Sequence, residues 1–391
     1  MTISDIQQAL RDEHLDGWLF FDHHLRDPLA YRVLQFQPAR IPTRRWYYFI
    51  PAQGEPKRLV HRIEAFVLDA LPGAKDAYSS WNHQREGLRA MLAGSRRIAM
   101  QYSPECAVPY VSMVDAGTLE LVRATGVEVA SSANLIQLFE SRWDQRKLDS
   151  HLEAGGLVDN IRRLAFTRIG ELLHSGERVT EWDIKQFILR RFGESNLTAD
   201  HGPVVSVNTH ASTPHYEPEL TASSEIRPGD LVLIDMWAKL NFPGSVYYDI
   251  TWTGHCGDGP VPSEIENIFE IVKSARDAAV RVVTGAVAAG RVIRGFEVDD
   301  VARGLIRGKG YAQYFFHRTG HSLGEDVHGT GANMDNLETH DERRIIPWTC
   351  FSVEPGIYLP EFGIRSEVNV FVGEKEARVT GEVQQEVVRI T

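Results

Sequence analysis

A chain of 391 residues has room for one large or two ordinary domains. Its 42 Lys and Arg against 53 Asp and Glu leave a net charge of −11, which argues against nucleic acid as a main partner and gives no support for a membrane surface. Cys106, Cys256 and Cys350 are widely spaced and odd in number, Met1-Thr2-Ile3-Ser4-Asp5 lacks the pattern of a signal peptide, and no uncharged stretch reaches membrane-span length, so the expectation is a cytoplasmic protein without disulfides.

From the N-terminus, Ser4 to Leu15 reads as a helix capped by Ser4 with Ile6, Leu10 and Leu15 as its apolar positions, and Trp18-Leu19-Phe20-Phe21 as a short strand. Arg45 to Ile50 is a second strand, turning at Gln53-Gly54-Glu55-Pro56 into Arg58-Leu59-Val60. Helical patterns over Ile63 to Leu71 and Glu86 to Leu92 lead to a strand at Arg97 to Met100 and a helix over Asp115 to Thr125. This is a small α/β domain with no visible chemistry. The run Asp22-His23-His24 reads as a loop, because adjacent side chains diverge.

Near residue 140 the pattern changes to a long charged amphipathic helix, Gln145 to about Leu173, which sets the domains at 1–140 and 141–391. A helix from Glu181 to Phe192, a strand at Gly202 to Val207 and a His-rich loop around His215 follow. Leu231 to Asp235 and Val246 to Thr251 form a hairpin around Asn241-Phe242-Pro243-Gly244-Ser245, and pairing Asp235 with Asp249 centres its turn on Phe242. Helices over Glu264 to Val287 and Val298 to Arg307 precede a second hairpin. There, Glu354 and Glu367 flank a midpoint between Pro360 and Glu361. The half thus reads as a helix pair plus hairpin, used twice.

Like charges facing each other on a sheet repel, so two such acid pairs call for a compensating cation or an altered register. Asp235, Asp249, Glu354 and Glu367 with neutral His321 carry four negative charges, which two divalent metals balance; oxygen and imidazole donors without thiolate favour Mn, Co or Zn. Carboxylates bridge metals roughly 3.5–4 Å apart, and such a pair generates a hydroxide nucleophile at neutral pH. For any one acid alone, a solvated position at a strand end is the commoner outcome. The segment Gly320-His321-Ser322-Leu323-Gly324 fits a nucleophile elbow, but Glu325 to Gly331 is rich in turn-formers where a helix is required, and the last histidine is His340.

These residues, in the contexts Tyr247-Tyr248-Asp249-Ile250-Thr251, Thr319-Gly320-His321, Val353-Glu354-Pro355-Gly356 and Gly363-Ile364-Arg365-Ser366-Glu367, resemble the five-ligand signature of the aminopeptidase P, prolidase and methionine aminopeptidase family. The resemblance implies a C-terminal pita-bread fold, a creatinase-like N-terminal domain and a homodimer. It implies two metal ions, manganese favoured, with Asp235 on one metal, Asp249 and Glu367 bridging, and His321 and Glu354 completing the other shell. It further implies hydrolysis of Xaa-Pro bonds by a bridging hydroxide, with Glu354 shuttling the proton to the leaving nitrogen. His215, His317 and His328 would bind substrate or steady the oxyanion, and Arg365 would orient Glu367 or steer protons. The favoured substrate is an Xaa-Pro dipeptide; the alternatives are an Xaa-Pro aminopeptidase and a creatinase-like hydrolase or lyase on the same fold. The chain departs from the pattern in three places. The Asp235 to Asp249 spacing is three residues longer and should reshape the pocket rim, Gly329-Thr330-Gly331 replaces an acid and a proline, and His201 stands where some members carry tyrosine.

Overall fold

In the computed structural model, residues 2–214 and 216–391 are described; His215 lies outside them. The chain divides into two compact units, Met1–Glu140 and Ser141–Thr391.

The first helix of the first unit, α1 (Ile3–Asp12), starts two residues earlier than Ser4 would place it, because Thr2 and Asp5 close a reciprocal capping box. Strands β1 (Gly17–Asp22), β2 (Trp46–Pro51), β3 (Lys57–His61), β4 (Ala74–Tyr78), β5 (Arg97–Met100) and β6 (Glu128–Ser131) form one mixed sheet in the order β4-β3-β2-β1-β5-β6. Helices α2 (Pro28–Leu34), α3 (Trp81–Leu92), α4 (Ala116–Arg123) and the short α5 (Ala133–Ile136) complete the unit. The helix expected over Ile63 to Leu71 is absent: only a single 3-10 turn, Arg62–Glu64, forms. Val67 and Leu68 are buried in the core while Ile63 and Phe66 are exposed, so the buried residues do not follow one helical stripe along the segment, and the Glu64 carboxylate accepts the Thr43 and Arg44 backbone N–H groups. Asp22 is buried and accepts from Tyr31 and two backbone N–H groups beside His23 and His24, a loop-fixing role.

The second unit opens with α6 (Gln145–His174) and α7 (Glu181–Glu194), the latter capped by a Thr180 and Asp183 box. Ala154, Val158, Ile161, Ala165 and Ile169 repeat at helical spacing and bury against the apolar face of a sheet ordered β17-β10-β9-β7. Its members are β7 (Leu197–Thr198), β8 (Val204–Val207), which pairs with β9 (Leu231–Leu240), then β10 (Tyr248–Cys256) and β17 (Val388–Ile390). The pattern recurs with α8 (Ser263–Ala288) and α9 (Gly295–Gly308) and the sheet β11-β12-β15-β16, made of β11 (Ser322–Leu323), β12 (Thr349–Val353), β15 (Val368–Val372) and β16 (Ala377–Thr380). A small ladder of β13 (Gly356–Tyr358) and β14 (Gly363–Arg365) extends the same hairpin.

The two hairpins differ in how they match the sequence. In the second, Val353 pairs with Val368 and Gly356 with Arg365, one register throughout and the expected one, and Glu354 and Glu367 fall in the gap between the two ladder pieces. In the first, Asp249 faces Trp237 and Asp235 faces Thr251, so the turn centres on Pro243 rather than Phe242. The reason is local: β7 pairs Leu197 with Leu240, carrying β9 to Leu240, and the Ser245 hydroxyl closes the loop onto the Leu240 and Phe242 carbonyls at 2.5 and 2.8 Å. Asp235 and Asp249 become diagonal neighbours on one face instead of direct partners.

Candidate active site

Strand alternation aims the first two acids. Ile234, Met236 and Ile250 belong to the apolar core shared with α6, so Asp235, Trp237 and Asp249 point to the other face. His321 arrives on a segment pressed against β12. A Cβ at Gly320 would collide with the Ser352 carbonyl oxygen, which is why glycine precedes the histidine. The segment is locked by His321 N–H to Ser352 Oγ at 3.0 Å, Ser352 N–H to the His321 carbonyl at 2.8 Å and Glu354 N–H to the Thr319 carbonyl at 2.7 Å. Buried Asp299 accepts the Thr319 N–H at 3.0 Å and its hydroxyl at 2.6 Å, fixing the start of the segment.

The groups then converge. His321 Nδ1 donates to the Ser322 carbonyl at 3.2 Å, which leaves the Nε2 lone pair 3.5 Å from Asp249 Oδ2 and 3.4 Å from Glu354 Oε1. One ligand atom from each of Asp249, His321 and Glu367 lies within 4.8 Å of the others. Asp249 Oδ1 and Glu367 Oε1 are buried and accept no hydrogen bond. Unsatisfied buried carboxylate oxygens are costly, and a hard divalent cation supplies the missing partner, so the donor set fits a metal.

Arg365 serves the same cluster. It pairs with Asp235, donates from Nε to Thr251 Oγ1 at 2.9 Å and lies 3.9 Å from Glu354 Oε2. Thr251 Oγ1 stands 3.1 Å from Asp235 Oδ1 and 2.8 Å from Glu367 Oε2, linking the two hairpins. Arg365 also donates to Tyr358 Oη at 3.3 Å, Tyr358 donates to His317 Nε2 at 2.7 Å, and His317 Nδ1 donates to the Arg318 carbonyl at 2.6 Å. Both nitrogens of His317 are thus engaged within the protein, and burial, helped by the Arg365 charge, drops its pKa to about 3, so the ring is neutral. His328 sets its ring edge-on to His321, centroids 4.5 Å apart. Burial raises Asp235 to about 6 and Asp249 to about 7, with Arg365 pulling both down. Glu354 and Glu367 are raised as well, first by burial and for Glu367 next by the Asp249 charge. A bound cation reverses these shifts and keeps the carboxylates ionised.

These side chains line a cavity of about 220 Å³, walled by His201, Gly202, Val204 and Trp237 on one side and by His317, Arg318 and His328 on another. The Asn241 to Ser245 tip contributes nothing to it. Of that hairpin Asp235, Trp237 and Asp249 line the cavity, while Phe242 at the tip packs under the Arg146 guanidinium of α6, 5.3 Å from the ring centre. The elbow motif is structural too, since Ser322 is buried in β11 and its Oγ accepts the Gly331 N–H at 3.1 Å. Sequence reasoning passed over Thr251, Tyr358 and Trp237. Two of them stand two residues from a ligand on the same strand, the spacing that returns a side chain to the same face.

The sequence profile of "Metallopeptidase family M24" matches residues 151–374. The chain is 26% identical over 333 residues to the "Probable dipeptidase PepE" of Mycobacterium tuberculosis, spanning 84% of this chain and 81% of that one. It is 29% identical over 219 residues to the "Xaa-Pro dipeptidase" of Pyrococcus furiosus, covering 55% and 57% of the two chains. Among solved structures, dipeptidase PepE from Mycobacterium ulcerans superposes with a TM-score of 0.70 at 22% identity over 99% of this chain and 96% of that one, and a Thermococcus sibiricus prolidase with 0.63 at 22% over 99% and 98%. Both share the fold, a mixed α/β architecture with the M24 pita-bread fold.

Proposed function

The chain belongs to metallopeptidase family M24, whose members use divalent metal ions, and on that premise we propose that it is a two-metal Xaa-Pro dipeptidase. The observation that carries the metal centre is the convergence of Asp249, His321 and Glu367 with two buried carboxylate oxygens left without partners, next to Asp235 and Glu354. Asp249 and Glu367, each with one orphaned oxygen, suit bridging positions; Asp235 would serve one ion, His321 Nε2 and Glu354 the other, and manganese is the first choice. When bound, the ions supply a Lewis acid for the scissile carbonyl and a water acidic enough to act at neutral pH.

The protein's own groups do the rest. Glu354, buried and raised, takes a proton at Oε and returns it to the leaving imino nitrogen of proline, which as a tertiary amide leaves poorly without it. Ser352 Oγ donates to Glu354 Oε1 at 3.1 Å and steadies that carboxyl. Arg365 holds Asp235 in place, and Tyr358 and His317 back Arg365. His328 and His215 are assigned to substrate and the developing oxyanion.

The small cavity supports a short substrate, since ordinary ligand pockets run from roughly 300 to 1,000 Å³. Arg318 on its wall provides a cation for the carboxylate of a dipeptide. The three cysteines are free, which supports a reducing, cytoplasmic setting, and no helix among the described residues is long and apolar enough to cross a membrane. A homodimer is expected, and light scattering on the purified protein checks it. The deciding experiment is metal content per chain, then hydrolysis of Xaa-Pro dipeptides, longer Xaa-Pro peptides and creatine after chelation and readdition of Mn, Co or Zn. About two metals per chain and restored dipeptide cleavage are expected. Preference for longer peptides would make it an aminopeptidase, and turnover of creatine alone would overturn the peptidase reading.

A further inference from the structure

We propose that Trp237 sets the size of the residue preceding the scissile bond, admitting Gly, Ala or Ser and rejecting bulky side chains; the inference deepens the Xaa-Pro reading and rests on it. Trp237 occupies the position directly across the hairpin from Asp249 and two residues beyond Asp235, so its indole shares the face that carries both acids. It forms one wall of the cavity with His201, Gly202 and Val204.

Three contacts keep the indole from swinging aside. Its Nε1 donates to Asp200 Oδ1 at 2.9 Å. The His201 ring stands edge-on to it, centroids 5.2 Å apart at 71°, and is itself tied to the same carboxylate through its backbone N–H at 3.0 Å and Nδ1 at 3.2 Å. The side chain also belongs to a buried apolar cluster with Val204, Val246 and Val327, and is only 9% exposed. A close-packed, hydrogen-bonded indole is a fixed wall, because moving it would forfeit both packing and a buried donor's partner.

The direction of the substrate follows from the proton. Glu354 must reach the leaving nitrogen, so proline is placed on the Glu354 side of the scissile carbonyl. The amino-terminal residue then lies on the opposite side of the carbonyl, over the face of the first hairpin that carries Asp235, Asp249 and Trp237, and its side chain meets the indole. Pocket walls of this kind discriminate by roughly ten- to two-hundredfold per group excluded.

The test compares wild type, Trp237→Ala and Trp237→Phe, each reloaded with Mn, on Ala-Pro and Phe-Pro. Wild type is expected to favour Ala-Pro in kcat/KM by about tenfold or more, and Trp237→Ala to shrink that ratio by about tenfold through a lower KM for Phe-Pro, with Trp237→Phe between them. Calorimetric titration with alanine hydroxamate and phenylalanine hydroxamate reads the same wall without turnover, and the same shift is expected there. A wild type that prefers Phe-Pro, or ratios unchanged within about twofold across the three proteins in both assays, overturns the proposal. If wild type cleaves neither peptide, the peptidase reading falls while the hydroxamate ratios still decide the wall. If Trp237→Ala does not fold, the Trp237→Phe ratios decide it alone.

Discussion

The catalytic unit buries carboxylates in two opposite ways. Glu181, at the first position of α7, has no solvent exposure and is surrounded by donors: the Val207 N–H at 2.8 Å, His210 Nδ1 at 2.9 Å, the Tyr216 hydroxyl at 2.6 Å and the Ser224 N–H at 2.7 Å. Asp249 and Glu367, equally buried, each keep an oxygen with no partner. The helix N-terminus adds favourable field at Glu181, whereas the cluster at Asp249 adds like charge. An acid with a full complement of protein donors is there to hold backbone; one left incomplete by the protein is held for something that arrives later. Glu181 ties together both ends of the segment 207–224, which brings Pro214, Tyr216 and Glu217 to the cavity wall.

If that contrast is right, substitutions on its two sides fail differently. The largest effect is on the incomplete side: Glu354→Ala should cut kcat by about 10⁴-fold with the fold intact, as loss of an essential proton carrier does. Glu367→Ala should lose bound metal yet leave the metal-free protein no less stable in urea, because burial first, and then the Asp249 and Glu354 charges, disfavour that carboxylate. Glu354→Ala with wild-type turnover would end the mechanism. On the complete side, Glu181→Ala should keep metal bound but cost about 4 kcal/mol in urea unfolding, since it strands several buried donors. Equal stability loss for Glu181→Ala and Glu367→Ala in the metal-free protein would erase the contrast.

His151 extends the comparison to a buried base. Its nitrogens meet the Tyr247 carbonyl at 2.8 Å and the Thr380 hydroxyl at 2.7 Å, and burial lowers its pKa from 6.5 to about 4. Between those values the unfolded chain binds the proton and the folded one does not, so stability is complete above about pH 6.5 and falls as pH drops toward 4, by up to about 3 kcal/mol. Urea titrations across that window should show this slope in wild type and a flatter one in His151→Gln. The smallest effect is predicted at the hairpin tip, outside both acid sites. Phe242→Ala should cost about 1 kcal/mol and leave kinetics unchanged, and a changed KM would mean that the tip reaches substrate after all.

Much of the site was legible because its residues sit on strands whose geometry is local. The register joining Glu354 to Glu367 follows from a short symmetric turn, and of the five residues read as ligands Asp249, His321 and Glu367 come together in one cluster with Glu354 beside His321. The first hairpin was misplaced by one residue at its axis because β7 and the Ser245 hydroxyl, neither visible as a turn signal, decide where β9 ends. Glu181 and His151 were silent for a related reason. Their partners lie 26 to 43 and 96 to 229 residues away, and no periodicity records such contacts. The helix expected at Ile63 to Leu71 shows the reverse failure, a helical spacing of apolar residues of which Val67 and Leu68 are buried while Ile63 and Phe66 face outward.

The gap that holds Glu354 and Glu367 has a consequence for the turn beyond it. The ladders on either side of the gap keep one register, closed by the Leu359 N–H to the Phe362 carbonyl at 2.9 Å. Strand side chains alternate faces, so a one-residue slip of one strand against the other would turn one glutamate away from its partner, while a slip of two would keep both facing inward. The register of the ladders flanking that turn therefore carries the parity of the acid pair.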